Sequence, residues 1–271
     1  MSVWLRPIIG AACMAGAVLA AAAPEETCSR VIKVPLAQLG RSVTFVEDGV
    51  AGVYPEVLRG LEGGCKFEFT KVPRARLEQM FASGHADLLV PATRTDRRDE
   101  FADFVAAAKT RTMLISLDRE VPELTMLVDL LSRNKLRVVV VRGFDFGPVY
   151  RHVVSRLAEQ KRLVYAVDPV DAARMLDAKM ADLSIMNPGS MAAAALDHAT
   201  TQALVPRLHY RAVDDLPWVE AGIYLSRVAL STGDRMLLTR ALEHARRSGA
   251  IWKALSRHYP ADVLAVSFRE K

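Results

Sequence analysis

Apolar residues recur along this chain at two spacings. Short β-branched runs, of the kind that fill a sheet, alternate with stretches whose apolar positions return every three or four residues, the mark of a helix with one buried face. Residues 31–36 (VIKVPL) predict a strand, and 54–64 (YPEVLRGLEGG) a helix with Val57, Leu58 and Leu61 on one side and glycines at its end. Residues 66–72 (KFEFTKV) predict a second strand and 86–92 (ADLLVPA) a third. Between them, 73–84 predict a helix that opens on Pro73 and turns Leu77, Met80 and Phe81 inward. That order implies a parallel sheet with crossover helices.

The order begins again after a charged break at 116–123 (SLDREVPE). Helices are expected at 124–133 and 147–160, and strands at 136–143 (LRVVVVRG), 162–167 and 181–187 (ADLSIMN). A further helix at 168–180 carries Asp168 as its cap and Pro169 at its first position. Residues 217–226 then predict a strand and 234–259 a long helical region that has no third sheet to complete. Its natural place is over the first unit, so the chain would cross between units twice, near Leu117 and near Leu216. The expected architecture is α/β with two lobes, each a mostly parallel sheet flanked by helices. Lobe 1 would hold 23–117 and 217–271, and lobe 2 would hold 118–216.

With 271 residues, 51% of them hydrophobic, the chain has ample material for packed cores, which excludes disorder as the default. Residues 1–22 have one early positive charge, an Ala-rich apolar stretch and small residues at the end, the layout of a cleavable signal peptide. A lipid-anchored form acylated at Cys13 is the alternative, disfavoured by Gly10, where such a site calls for Leu or Val. The apolar run 7–23 is short for a membrane span. Two cysteines remain beyond the leader, Cys28 and Cys65, and an even count in an exported chain suggests a disulfide. Each precedes a predicted strand, so adjacent parallel pairing would bring them to one sheet edge; two unpaired thiols are the other possibility. Without the leader there are 35 basic and 31 acidic residues, with no basic block, which gives no reason to expect nucleic acid. The six histidines are scattered and there is no HExxH or CxxC, so neither a metal nor a cofactor is expected. Ser190, in NPGSMAA, lacks the nucleophile-elbow pattern.

Several segments, in this order behind a leader, resemble the bacterial periplasmic solute-binding proteins of the polar amino-acid type, solute-binding family 3. They are GVAGVYPEVLRGL, FASGHADLLVPATRTDRRDEFADF, VVVVRGFDFG, MLDAKMADLSIMN, EAGIYLSR and SGAIWKALSRHYP. The resemblance implies a two-lobed periplasmic-binding-protein (type II) fold, a periplasmic location and a monomer. It also implies a small carboxylate-bearing solute held between the lobes and a membrane ABC permease or receptor as partner. Arg98, three residues after Thr95, is similar to the arginine that grips the ligand's α-carboxylate in that family, a task suited to a planar fork of donors. A salt bridge to Asp96, Asp99 or Asp103 is the structural alternative. Thr93 and Thr95 could donate to the same carboxylate or simply cap the turn. Arg74 and Arg76 open a helix at the same edge of the sheet, where basic residues oppose the macrodipole but an anion is favoured; Arg74 is nearer the turn.

In the second lobe the turn VRGFDFG resembles the family's second carboxylate cradle, with Arg142, Gly143 and Asp145 as contacts and Phe144 or Phe146 as an apolar wall. Asn187 departs from the pattern, since amino-acid-binding members carry Asp there for the ligand's ammonium. A neutral amide leaves a buried ammonium without its counter-charge, so a standard α-amino acid fits only if Asp145 or Glu220 supplies one. Asp87 and Asp182 each precede the third strand of a unit and suggest one structural task performed twice. Two further classes stay open. An exported dehydratase acting on cyclohexadienyl acids would need Asp145, Glu47 or Glu220 as its acid, and a free-standing sensing module would report occupancy to a membrane receptor.

Overall fold

The computed structural model describes residue 1 and residues 27–61, 64–117 and 123–271, so the expected signal peptide lies outside the described residues apart from Met1. The chain first lays down β1 (Ile32–Leu36), β2 (Thr44–Val46), β3 (Gly49–Ala51), α1 (Val53–Arg59), β4 (Phe67–Lys71) and α2 (Arg74–Ala82). β5 (Leu88–Thr93), α3 (Asp96–Asp99) and β6 (Ala102–Thr110) finish this first passage. It continues through β7 (Met113–Leu117), β8 (Val138–Val141), α4 (Pro148–Glu159), β9 (Leu163–Ala166), α5 (Pro169–Asp177), β10 (Leu183–Met186), α6 (Pro188–Leu196) and β11 (Leu208–Arg211). The last elements are β12 (Val219–Ser226), α7 (Thr232–Arg247), α8 (Ala250–His258), α9 (Ala261–Ser267) and β13 (Phe268–Arg269).

These elements form the α/β, two-lobed arrangement that the sequence implies. In one lobe β1 pairs with β4 in parallel, beside a four-stranded sheet ordered β13-β6-β12-β5; in the other a single sheet runs β11-β7-β10-β8-β9. The parallel pairs β1/β4, β8/β9 and β8/β10 come from the crossover units, whereas the strands that pass between lobes pair antiparallel, so both lobes are mixed. β6 and β7 are absent from the predicted elements; in β6 the reason is that Ala106, Ala107 and Ala108, buried at its centre, carry no β-branched signal. Since β7 belongs to the second sheet, the chain crosses at Arg111–Thr112 rather than near Leu117. The expected helix at 124–133 is only a 3-10 turn at 127–132. There Asp129 accepts from the N–H groups of Thr125 and Met126, and Arg162 donates to the carbonyls of Leu130, Arg133 and Leu136. The long C-terminal helix breaks in two at Gly249, whose φ of 73° is left-handed.

Period-two alternation explains the VVVV run of β8. Val138 and Val140 face Val153 and Leu157 of α4, while Val139 and Val141 face Ala172, Ala173 and Leu176 of α5, so both sides of the strand are buried. In the first lobe, Ile32, Val34 and Leu36 share a core with Leu238 and Leu242 of α7 and Ile251 and Leu255 of α8. Asp87 and Asp182 do perform one task twice: each carboxylate accepts from the N–H near the start of the neighbouring strand, Lys33 at 2.6 Å and Arg137 at 2.8 Å. Cys28 and Cys65 are joined, with Cα atoms 4.8 Å apart, where the chain enters the paired strands β1 and β4.

α6 is the seam between the lobes. Residues from Pro188 to Ala195 are all buried; Met191 belongs to the second lobe's core, Ala192 and Ala193 to the first's. The approach is close enough that a Cβ on Gly40, in the loop after β1, would lie 2.6 Å from the Ala193 Cβ.

Candidate functional site: the interlobe cleft

Beyond the end of β5 a narrow space lies between the two lobes. Leu39, Tyr54, Arg74, Pro91, Ala92 and Thr93 line it from the first lobe, and Phe144, Asp145, Phe146, Asn187 and Ser190 from the second; Phe268 closes it from the C-terminal strand. The walls are largely apolar. Loops and helix ends at the edge of a sheet place it where ligands of α/β folds bind.

Of the residues singled out from the sequence, Arg74, Thr93, Asp145 and Asn187 line this space, while Arg98, Gly143 and again Asp145 line a second opening between the lobes. A Cβ on Gly143 would lie 2.9 Å from the Ala75 backbone, so glycine lets the second-lobe turn rest on the start of α2. Thr93 Oγ1 donates to the Asp145 carbonyl at 3.0 Å, a bond from lobe to lobe. Arg142 does not join the group: its guanidinium carbon lies 5.1 Å from the centre of the Tyr165 ring. Thr95 is buried with its N–H donating to the Tyr224 hydroxyl at 2.9 Å, and its own hydroxyl has no partner.

Arg98 is buried, but its fork is occupied. One N–H donates to the Thr93 carbonyl at 2.9 Å and another to Glu78 Oε1 at 3.0 Å. Glu78 is a residue that the sequence reading missed, although its place four residues after Arg74 on α2 is the spacing of a helical ion pair. Arg74 donates to the same Oε1 at 2.7 Å and to the Pro91 carbonyl at 2.9 Å, which leaves its buried Nε–H unpaired. Burial pulls the Arg74 guanidinium below its usual value, Arg98 adds to this, and Glu78 opposes it. Arg94 pairs with Asp99 and Glu220, and Arg97 is exposed.

The acids at the edge of the cleft are held by cations. Asp145 pairs with Arg151 at 3.0 Å and accepts from the Gly147 N–H. Lys271 and Arg94 hold the Glu220 carboxyl below its usual range, against the effect of burial. Glu47 is exposed at the β2–β3 turn. Among the described residues, no cluster of three or more His, Cys, Asp or Glu could hold a metal ion, and no helix is long and apolar enough to cross a membrane. Across the mouth, Arg41 pairs with Asp197 at 2.8 Å, linking the loop after β1 to the end of α6.

Two lobes on mixed sheets, joined by two crossings around a lined cleft, define the fold of the periplasmic binding proteins. Solved structures of that fold are similar to this chain over most of its length. A putative L-cystine ABC transporter protein from Listeria monocytogenes is 18% identical over 89% of this chain and 99% of its own, with a TM-score of 0.68. A histidine kinase sensor domain similar to periplasmic binding proteins is 17% identical over 89% and 98%, with a TM-score of 0.66. The periplasmic VFT2 domain of BvgS from Bordetella pertussis is 21% identical over 84% and 93%, with a TM-score of 0.62. No protein-family model matches the chain, and no curated protein matches it in sequence.

Proposed function

We propose that this protein is a periplasmic solute-binding protein of the family 3 type, exported through its N-terminal leader, that closes its lobes on a small carboxylate-bearing solute and presents it to a membrane ABC permease. The observation that carries this reading is the space between the lobes, lined by Arg74 and Thr93 on one side and by Asp145 and Asn187 on the other. Hinged closure around a ligand is a known motion of such pairs. Binding rather than dehydration fits the acids at the edge, since Asp145 and Glu220 are ion-paired and a general acid needs a raised pKa. The protein acts as a monomer, without cofactor or nucleic acid.

The test is a thermal-shift screen of a broad solute library on protein stripped by unfolding and refolding. A solute at a hundred times its dissociation constant should stabilise the closed form by about 2.7 kcal/mol. A library without a stabilising solute refutes the reading.

A sensing role is the second reading, favoured by the likeness to a histidine kinase sensor domain and to the BvgS VFT2 domain. The two roles separate in cells lacking the protein. Lost uptake of the identified solute supports transport, and intact uptake with an altered response to that solute supports sensing.

A further inference from the structure

Charge beside the cleft is already partly balanced from within. Glu78 Oε1 accepts from Arg74 at 2.7 Å and from Arg98 at 3.0 Å, so one carboxylate faces two guanidinium groups. Arg98 also holds the Thr93 carbonyl, and it lines a second opening between the lobes, with Glu78, Gly143 and Asp145, rather than the space that Arg74 lines. A side chain of the protein thus takes the place on Arg98 that the family resemblance gives to a ligand carboxylate. Two cations and one anion leave a single net positive charge. Arg74, 8% exposed, does line the space, and its Nε–H is unpaired. A charged donor without a partner beside a cavity gains a strong hydrogen bond when an anion enters.

The opposite end offers nothing to a cation. The Asn187 amide group donates to Thr110 Oγ1 and to the carbonyls of Arg111 and Ser267. Asp145, the one carboxylate in the lining, is paired with Arg151. Most of what remains is apolar, with Leu39, Ala92, Phe144, Phe146, Ala221 and Phe268 around the space. An ammonium group buried there would lack a counter-charge.

Resting on the solute-binding reading, we propose that the cleft selects a monoanionic solute with an apolar body and no ammonium group. Arg74 holds its carboxylate in place of Arg98, and Glu78 sets the selectivity by cancelling the second arginine. This differs from the zwitterion that an aspartate at position 187 would receive, and from a dianion, which would need both arginines free.

The experiment is calorimetric titration of the refolded protein with benzoate, L-phenylalanine, benzyl alcohol and phthalate, beside the library screen. Benzoate is expected to bind about tenfold or more tighter than the other three. Arg74→Gln should weaken benzoate by about tenfold or more, and Glu78→Gln, by freeing a second positive charge, should raise phthalate relative to benzoate by a similar factor. The wild-type comparison needs no variant to fold. Best library hits that are ammonium-free monocarboxylates support the proposal. A best hit of any other charge class overturns it while leaving the solute-binding reading in place, and a library without hits overturns both. Phenylalanine binding as tightly as benzoate also overturns it.

Discussion

Asn187 Nδ2 lies 2.6 Å from Thr110 Oγ1, which ties the end of β10 in one lobe to the strand on which the chain leaves the other. The same amide donates to the Arg111 carbonyl at 3.1 Å and the Ser267 carbonyl at 3.0 Å, while its oxygen accepts from the Ser190 N–H at the start of α6. An aspartate could keep the last of these bonds and accept from the Thr110 hydroxyl, but it would set its charge against two carbonyl oxygens. The neutral residue at 187 is therefore explained by the crossing it braces.

Asn187→Asp should accordingly destabilise the protein by about 2–4 kcal/mol, the scale of losing buried hydrogen bonds and leaving a charge against acceptors. Urea unfolding at neutral pH measures it, and a variant as stable as the parent would show that these bonds contribute little.

Glu78→Ala removes the one carboxylate between two buried guanidinium groups. Breaking a buried pair from one side is costly, and the partial exposure of Glu78 reduces the figure, so a loss of about 2–4 kcal/mol is expected. Arg98→Ala in the same background should recover part of it, because it relieves the repulsion that remains; additive losses would argue that the three side chains act separately.

The Cys28–Cys65 bond closes a loop between residues 37 positions apart. Chain entropy alone gives it about 4 kcal/mol, and native disulfides of exported domains are worth about 2–5. The Cys28→Ser, Cys65→Ser double variant should melt well below the oxidised protein, and reductant should lower only the latter.

Acid should weaken the joint between the N-terminal segment and α7. Burial pushes the Asp234 carboxyl up, but the Ser29 hydroxyl and N–H, the Ser231 hydroxyl and Arg30 outweigh it and hold the group below its usual value. A carboxyl with a depressed folded pKa contributes fully above its unfolded value near pH 4 and loses that contribution as pH falls through the folded one. Asp234→Asn should cost about 1–3 kcal/mol at pH 7, and the gap from wild type should narrow as pH falls from 5 toward 2. A gap independent of pH would mean that the charge is not what matters.

Closure should depend on the apolar seam more than on the ion pair across the mouth. Arg41 and Asp197 are each about a third exposed, so a double-mutant cycle should give a coupling of about 0.2–1 kcal/mol, and Arg41→Ala should leave the small-angle scattering profile nearly unchanged. Gly40→Ala puts a methyl group against Ala193 at a backbone angle of +50° and should enlarge the radius of gyration. The reverse outcome would make the ion pair the latch.

Much of the fold was legible along the chain because its signals are local. The VVVV run of β8, the Asp168 cap with Pro169, and the paired ADL segments each carry their reason within a few residues, and the even pair of cysteines needed only a shared sheet edge. The alanine-rich β6 was not legible, since alanine marks no strand until neighbouring strands bury it. Arg98 and Arg74 could be chosen from their place at strand and helix ends, but not their partners. Which guanidinium is left with a free N–H depends on where Glu78 points once α2 packs on β5, and whether Asn187 faces a ligand or a hinge depends on residues 77 and 80 positions away. Sequence alone set most of the elements and the kinds of groups at the cleft, because backbone preference and side-chain chemistry are properties of short segments. The allocation of hydrogen bonds among those groups was decided by tertiary structure, because each donor satisfies whichever acceptor folding brings within about 3 Å.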